Sequence, residues 1–173
     1  NVHAPPWVAI PVIVLVALAT RADVQTRKIP NLLTGPAFLL GILVNLVLNG
    51  TAGAGNALLG AAVAGAILLP GWLMRFTGAG DVKLMAAVGA WLGYPGGLAA
   101  AVAALIAGGV IAVFVAARRG MLKQALRNAL VVGLGLLARK GGVVGPMPVT
   151  TGVRFPFAPA ILVGAIFALL RMG

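Results

Sequence analysis

Residues 98–117 read LAAAVAALIAGGVIAVFVAA, an uncharged apolar run that ends at Arg118 and Arg119. A helix rises about 1.5 Å per residue, so a run of this length crosses the roughly 30 Å hydrocarbon core of a bilayer. Other apolar segments lie on both sides of it, at residues 5–22, 33–48, 56–74, 81–93 and 157–170. The pattern predicts an all-α fold: a polytopic transmembrane helical bundle with about six spans.

The overall composition also favours the bilayer as the solvent of this chain. Hydrophobic residues make up 61% of the 173 residues and charged residues 9%, and the mean hydropathy is +1.10. A soluble domain has about 45–50% apolar and about 25% charged residues. We expect one transmembrane domain over residues 1–173, in which the mixed basic and apolar stretch 121–140 forms an interfacial amphipathic helix.

Several classes of catalytic site are excluded by the residues that the chain lacks. It contains no cysteine and no serine, and His3 is its single histidine. A thiolate nucleophile, a serine triad, a cysteine-based zinc site and a histidine-rich metal site are therefore excluded. We expect no metal and no cofactor.

The net charge of +11 is explained by membrane topology. If there are six spans, the basic residues gather in three connections on one side of the membrane, and only Arg171 of the 13 lies opposite. Lys and Arg are retained on the cytoplasmic side, so we expect a multi-pass protein of the cytoplasmic (inner) membrane with both termini outside. Contact with membrane lipids follows, whereas binding to nucleic acid is not expected because no aromatic residues are interleaved with the basic ones.

The two acidic residues of the chain, Asp23 and Asp81, both fall at cytoplasmic ends of spans in this topology. An acidic side chain near the hydrocarbon layer is costly and is a functional candidate. Two adjacent carboxylates can hydrolyse a peptide bond when one is ionised and the other protonated. A helix N-terminus favours the charged form at Asp81, and a helix C-terminus disfavours it at Asp23. This predicts Asp81 as the base and Asp23 as its protonated partner.

Simpler interpretations of the same residues stay open at this point. Asp81 is a good helix N-cap, Asp23 is close in sequence to Arg21 and Arg27, and Lys83 could extend its charge to the membrane surface. A small proton-coupled transporter would also use intramembrane carboxylates, although it would place them near mid-membrane. A non-catalytic assembly factor, which binds its partner proteins without cleaving them, is a third hypothesis.

Two segments resemble a known family. Residues 78–84, Gly-Ala-Gly-Asp-Val-Lys-Leu, resemble the GxGD signature of intramembrane aspartyl proteases in its type IV prepilin peptidase branch. Asp23, followed by Arg-Lys-Ile-Pro-Asn at 27–31, looks like that family's first catalytic aspartate with its downstream segment, and residues 155–160 are also similar. The chain is similar to the short, peptidase-only members that accompany tight-adherence pilus systems.

The resemblance implies an activity and assigns residues to it. It implies an aspartic endopeptidase that removes the basic leader from prepilin or pseudopilin substrates at the cytoplasmic face, with Asp23 and Asp81 catalytic and no metal. Gly78 and Gly80 are motif positions where a substrate strand can approach the backbone, and Ile29, Pro30 and Asn31 are motif positions without an assigned role. Longer members carry a methyltransferase part with a cysteine cluster. Since this chain has no cysteine, we expect no N-methylation.

Overall fold

The described part of the chain is entirely helical. The computed structural model describes residues 5–73, 77–118 and 157–172, together with Gly120 and Arg127. Within these ranges there is no strand, and four helices form: α1 (Pro6–Thr26), α2 (Asn31–Leu73), α3 (Ala79–Arg118) and α4 (Ala158–Arg171). The all-α prediction is confirmed. The predicted interfacial helix at 121–140 lies outside the described residues except for Arg127.

Three of these helices, α1, α2 and α3, are long and apolar enough to cross a membrane, and α4 is a shorter apolar helix. Most of their large apolar side chains face outward, including Leu32, Val47 and Leu170. A soluble protein would not expose so many of them together. The chain is therefore a membrane protein with transmembrane helices.

Helix α2 bends sharply at Gly50, which has φ 66° and ψ −157°. A Cβ atom added at Gly53 would collide with the carbonyl oxygen of Asn45. In a straight helix, residues eight positions apart are separated by about 12 Å along the axis. The chain therefore folds back on itself at Gly50, where a positive φ is cheap only for glycine.

Helix α3 bends in the same way at Gly93, which has φ 69° and ψ −175°. A Cβ atom added at Gly97 would lie 3.1 Å from the Cα of Gly89. The backbone N–H of Tyr94 donates a hydrogen bond to Oδ1 of Asn56 at 3.1 Å. Because the bend takes Tyr94 out of the regular helical pattern, the Asn56 side chain supplies an acceptor at this point.

The predicted count of about six spans is not supported by this structure. We expected chain breaks at residues 49–55 and 94–97, but helical geometry continues through both regions, interrupted only by the single glycines Gly50 and Gly93. The apolar segments at 33–48 and 56–74 are thus parts of α2, and those at 81–93 and 98–117 are parts of α3. Four helices are therefore assigned to the described residues, although the backbone at Gly50 and at Gly93 is non-helical and two helical segments meet at each of these glycines.

The described residues belong to two compact units, one formed by Asn1–Gly108 with Arg154–Gly173 and the other by Gly109–Val153. In the first unit, α1 packs against α2 and α4. Its largest fully buried side chains are Val12, Val16, Leu68, Leu84, Met85, Val88 and Ile161. In the second unit, the guanidinium of Arg118 lies 4.7 Å from the ring centre of Phe114, a cation–π contact.

Polar contacts join the first parts of α2 and α3. The Asn45 amide donates to the carbonyl oxygens of Gly41 (2.9 Å) and Ala90 (3.1 Å), and Trp91 Nε1 donates to the carbonyl oxygen of Ala37 (2.9 Å). Hydrogen bonds between helices help hold them together where no water competes. They join α2 to the part of α3 that directly precedes the bend at Gly93, whereas the candidate site lies at the beginning of α3.

Candidate active site

The Asp81 carboxylate is fixed in the first turn of α3. Its Oδ2 accepts a hydrogen bond from the backbone N–H of Gly78 at 2.8 Å, while the Asp81 N–H donates to the Gly78 carbonyl at 3.1 Å. This reciprocal pair resembles a capping box, in which a side chain reaches back to the N–H that precedes the helix. The side chain is 6% exposed. Asp81 therefore does cap the helix, although from its third residue and not as the N-cap itself.

The Asp23 carboxylate lies in the last turn of α1, because this helix continues to Thr26, beyond the predicted end at residue 22. The side chain is 7% exposed. Its Oδ2 accepts a hydrogen bond from the backbone N–H of Ala158 at 3.1 Å. Arg21 and Arg27 are exposed, and the described residues show no ion pair between Asp23 and either of them. The ion-pair interpretation of Asp23 is therefore not supported.

Both carboxylates are held by the N-terminus of a helix. Asp81 caps α3, and Asp23 accepts the first N–H of α4. The positive end of a helix dipole favours a negative charge. The sequence indicated this environment for Asp81 alone, because nothing in the sequence places Ala158 next to Asp23. Asp23 nevertheless remains in the last turn of α1, near a helix C-terminus, and the assignment of the base and acid roles stays a prediction.

The structure brings the two acidic residues to the same end of the first unit. Asp23 lies in the last turn of α1, and Asp81 lies in the first turn of α3. The connection between α1 and α2 also touches the beginning of α3 at two points. A Cβ atom added at Gly80 would lie 3.0 Å from Cβ of Ile29, and Lys83 Nζ donates to Asn31 Oδ1 at 2.9 Å.

The glycines of the 78–81 segment have different surroundings. A Cβ atom at Gly78 would lie 3.3 Å from the Asp81 carboxylate oxygen, so glycine keeps the space beside that oxygen free. The corresponding space at Gly80 is filled by Ile29. The space beside Gly78 is therefore compatible with the approach of a substrate strand. The missing side chain at Gly80 instead allows the connection between α1 and α2 to pack against α3 through Ile29.

Three features of the site were missed by sequence reasoning. The Ala158 N–H is one, and its neighbour Phe157 is held in place because its ring fills the space beside Gly108. The others are the hydroxyls of Thr20 and Thr77, which are buried without a hydrogen-bond partner in the described part of the chain. Thr20 precedes Asp23 by three residues, so it lies on the same side of α1. That spacing was the only signal in the sequence.

No group of three or more His, Cys, Asp and Glu side chains that could hold a metal ion occurs among residues 5–73, 77–118 and 157–172. What the site contains is two carboxylates. Such a pair can accept and donate protons when one member is ionised and the other protonated.

Comparison with known proteins gives one match. The model of the type IV leader peptidase family matches residues 10–113, which include both Asp23 and Asp81 and more than half of the chain. No curated protein matches the chain, and no solved structure matches it.

The backbone donors predict how substitutions of the acidic residues affect stability. Asparagine retains an oxygen that can accept the Gly78 or Ala158 N–H, whereas alanine leaves that donor unpaired. An unpaired buried donor costs about 1–3 kcal/mol. We therefore expect Asp81→Ala and Asp23→Ala to unfold at lower temperature in detergent than the matched Asp81→Asn and Asp23→Asn. Equal unfolding temperatures within each pair would contradict the two hydrogen bonds.

Proposed function

Because the chain belongs to the type IV leader peptidase family, we propose that it is an intramembrane aspartic endopeptidase that removes the basic leader from type IV prepilins or pseudopilins. The observation that carries the proposal is the position of its only two acidic side chains. Both are buried at the same end of the first unit, and each is oriented by a backbone N–H.

The proposed reaction uses the two carboxylates as a base and an acid. The ionised carboxylate takes a proton from water as the water oxygen bonds to the scissile carbonyl carbon, and the protonated carboxyl donates its proton to the carbonyl oxygen. The resulting diol collapses when the first carboxyl protonates the amide nitrogen and a diol hydroxyl returns a proton to the second. The C–N bond then breaks, one water has been consumed, and the pair is again singly protonated.

The surroundings of Asp23 and Asp81 favour sharing of this single proton. Two close carboxylates cannot easily both ionise, and their titration then belongs to the pair and not to either residue. Each accepts one backbone hydrogen bond through Oδ2. The proposal therefore assigns the base and acid roles to the pair. It does not retain Asp81 as the fixed base.

Substrate access is proposed beside Gly78. The missing side chain there leaves the region next to the Asp81 carboxylate free, so an extended peptide could bring its backbone close to the acid. The proposed substrate is an extended segment at the junction of the basic leader and the apolar start of the pilin. A larger residue at position 78 would occupy that space first.

We also propose that this end of the protein faces the cytoplasm across the inner membrane. Exposed basic side chains cluster near the site, namely Arg21, Arg27, Lys28 and Lys83. Such residues are retained on the cytoplasmic side. Asp23 lies in the last turn of α1 and accepts a hydrogen bond from the first residue of α4. The opposite ends of these two helices would therefore lie on the outer side of the membrane, in agreement with outside termini.

Leader removal tests the proposed activity directly. We expect the purified protein to shorten a co-purified prepilin after its basic leader, and Asp23→Asn or Asp81→Asn to lower the rate by about 10²–10⁴-fold, the usual contribution of a general acid or base. Cleavage is followed by gel shift and N-terminal sequencing of the product.

The asparagine variants are matched controls because they can keep the hydrogen bonds from Gly78 and Ala158. Their unfolding temperature must remain close to that of the unchanged protein for the comparison to count. A folded Asp23→Asn or Asp81→Asn variant that cuts at the normal rate would disprove the carboxylate pair. Folded, unchanged protein that cuts none of a panel of prepilins would disprove the peptidase itself.

Thiol labelling tests the proposed orientation, since the chain contains no cysteine of its own. In intact cells we expect a membrane-impermeant maleimide to label Thr51→Cys, next to the bend at Gly50, and to label Lys28→Cys only after the membrane is permeabilised. Both positions are exposed in the structure. A difference in labelling will therefore report the side of the membrane on which each residue lies and not its burial within the protein. The reverse labelling pattern would place the acidic residues outside the cytoplasm.

A further inference from the structure

We propose that residues 27–31, here named the clasp, hold the first turn of α3 against the end of α1 and so position Asp81 relative to Asp23. The inference rests on the proposed peptidase function and adds a role for Ile29, Asn31 and Lys83. None of these three side chains acts on the substrate in this proposal. They set the geometry of the two residues that do.

The clasp begins with a rigid link to the turn of α1 that carries Asp23. Arg27 adopts a left-handed conformation with φ 53°, and its N–H donates to the Asp23 carbonyl at 2.8 Å. The Thr26 hydroxyl contacts the carbonyl oxygens of Ala22 (2.9 Å) and Lys28 (3.1 Å). This is a helix end stabilised by local hydrogen bonds. The path from Asp23 into the clasp is therefore fixed by backbone geometry.

The first contact of the clasp with α3 is made by Ile29 on Gly80. A Cβ atom at Gly80 would lie 3.0 Å from Ile29 Cβ, 3.5 Å from Cγ1 and 3.6 Å from the Ile29 nitrogen. Only a residue without a side chain permits this approach without a shift. Gly80 directly precedes Asp81, so the contact acts next to the carboxylate.

The second contact is the hydrogen bond from Lys83 Nζ to Asn31 Oδ1, 2.9 Å long. Lys83 follows Asp81 by two residues, and Asn31 follows Ile29 across Pro30, whose ring restricts the backbone between them. On α3 the contacting residues, Gly80 and Lys83, stand on either side of Asp81 in the sequence. On the clasp they are Ile29 and Asn31, on either side of Pro30. Gly80 and Lys83 are three positions apart and so lie on one face of α3. Two contacts along that face limit both the translation and the rotation of the first turn.

Geometry of this kind matters because the proposed reaction needs both carboxylates around one water and one carbonyl. A displacement of about 1 Å in such a site can lower a rate by about 10²-fold. Asp23 and Asp81 are on different helices, and they are 58 positions apart in the sequence. The clasp follows Asp23 closely in the sequence and directly contacts the turn of α3 that carries Asp81.

Kinetics of matched variants test the clasp. Lys83→Met removes the donor and keeps the stem, and Asn31→Leu removes the acceptor with little change of size. We expect each to lower kcat about three- to tenfold with KM unchanged, which is the loss corresponding to one hydrogen bond of typical net strength. The double variant should be no slower than either single one, because all three lack the same interaction.

Rescue and a neighbouring control separate positioning from a general effect. Lys83→Arg and Asn31→Asp keep a donor and an acceptor, and we expect them to recover kcat to within about twofold of the unchanged protein. Arg21→Met removes an exposed charge from the same end of α1, outside the clasp, and should also stay within about twofold. Additive losses in the double variant, a change confined to KM, or unchanged kcat in both single variants would overturn the proposal.

Cross-linking tests the clasp independently of cleavage. In this cysteine-free chain, Ile29→Cys combined with Gly80→Cys places two Cβ atoms 3.0 Å apart. This is closer than the roughly 3.5–4.5 Å of a disulfide, so the two residues need to separate only slightly for the bond to form. We expect a rapid disulfide that forms at least about threefold more slowly when Lys83→Met is added. Equal rates would overturn the clasp. If the unchanged protein cut no prepilin, the peptidase proposal would fail and this cross-linking result alone would decide whether the clasp exists.

Discussion

A carboxylate buried in a membrane protein must find hydrogen-bond donors, and in this chain the donors are backbone N–H groups at helix beginnings. Asp81 accepts from Gly78 before α3, and Asp23 accepts from Ala158 at the start of α4. Helix beginnings have free N–H groups and a positive dipole end, so they can hold a negative charge without a cationic side chain. The bond to Asp23 joins the end of α1 to the beginning of α4, whereas the bond to Asp81 is local to the first turn of α3. The contacts of Ile29 and Asn31 with that turn bring α3 to the same site.

The other packing contacts of the first unit support the positions of these helix ends. The bends at Gly50 and Gly93 return the chain on itself, and close packing between Gly60 and Gly89 allows the backbones of α2 and α3 to approach directly. Small residues at helix contacts are typical where lipid supplies no hydrophobic driving force between helices. Phe157 against Gly108 holds the start of α4, so that its first N–H meets Asp23.

Much of this arrangement could be predicted from the sequence, and the parts that could not share a physical cause. Apolar runs identified the helices, and the GxGD segment with its distant partner identified Asp23 and Asp81. The prediction of about six spans was not supported, because a glycine-rich segment such as 49–55 resembles a loop in sequence, whereas in the structure only Gly50 departs from helical geometry there. Ala158 was missed, since a backbone N–H has no sequence signature, and contact over 135 positions is set by packing.

If Asp23 and Asp81 act as one pair, their separation in the folded protein is the most direct quantity to measure. In the cysteine-free chain, Asp23→Cys with Asp81→Cys can be treated in membranes with a short bifunctional thiol reagent, and Asp23→Cys with Tyr94→Cys, near the bend in α3, serves as the control pair. We predict efficient cross-linking of the first pair and none of the second. Absence of cross-linking in the first pair, with both thiols shown to react singly, would contradict the carboxylate pair.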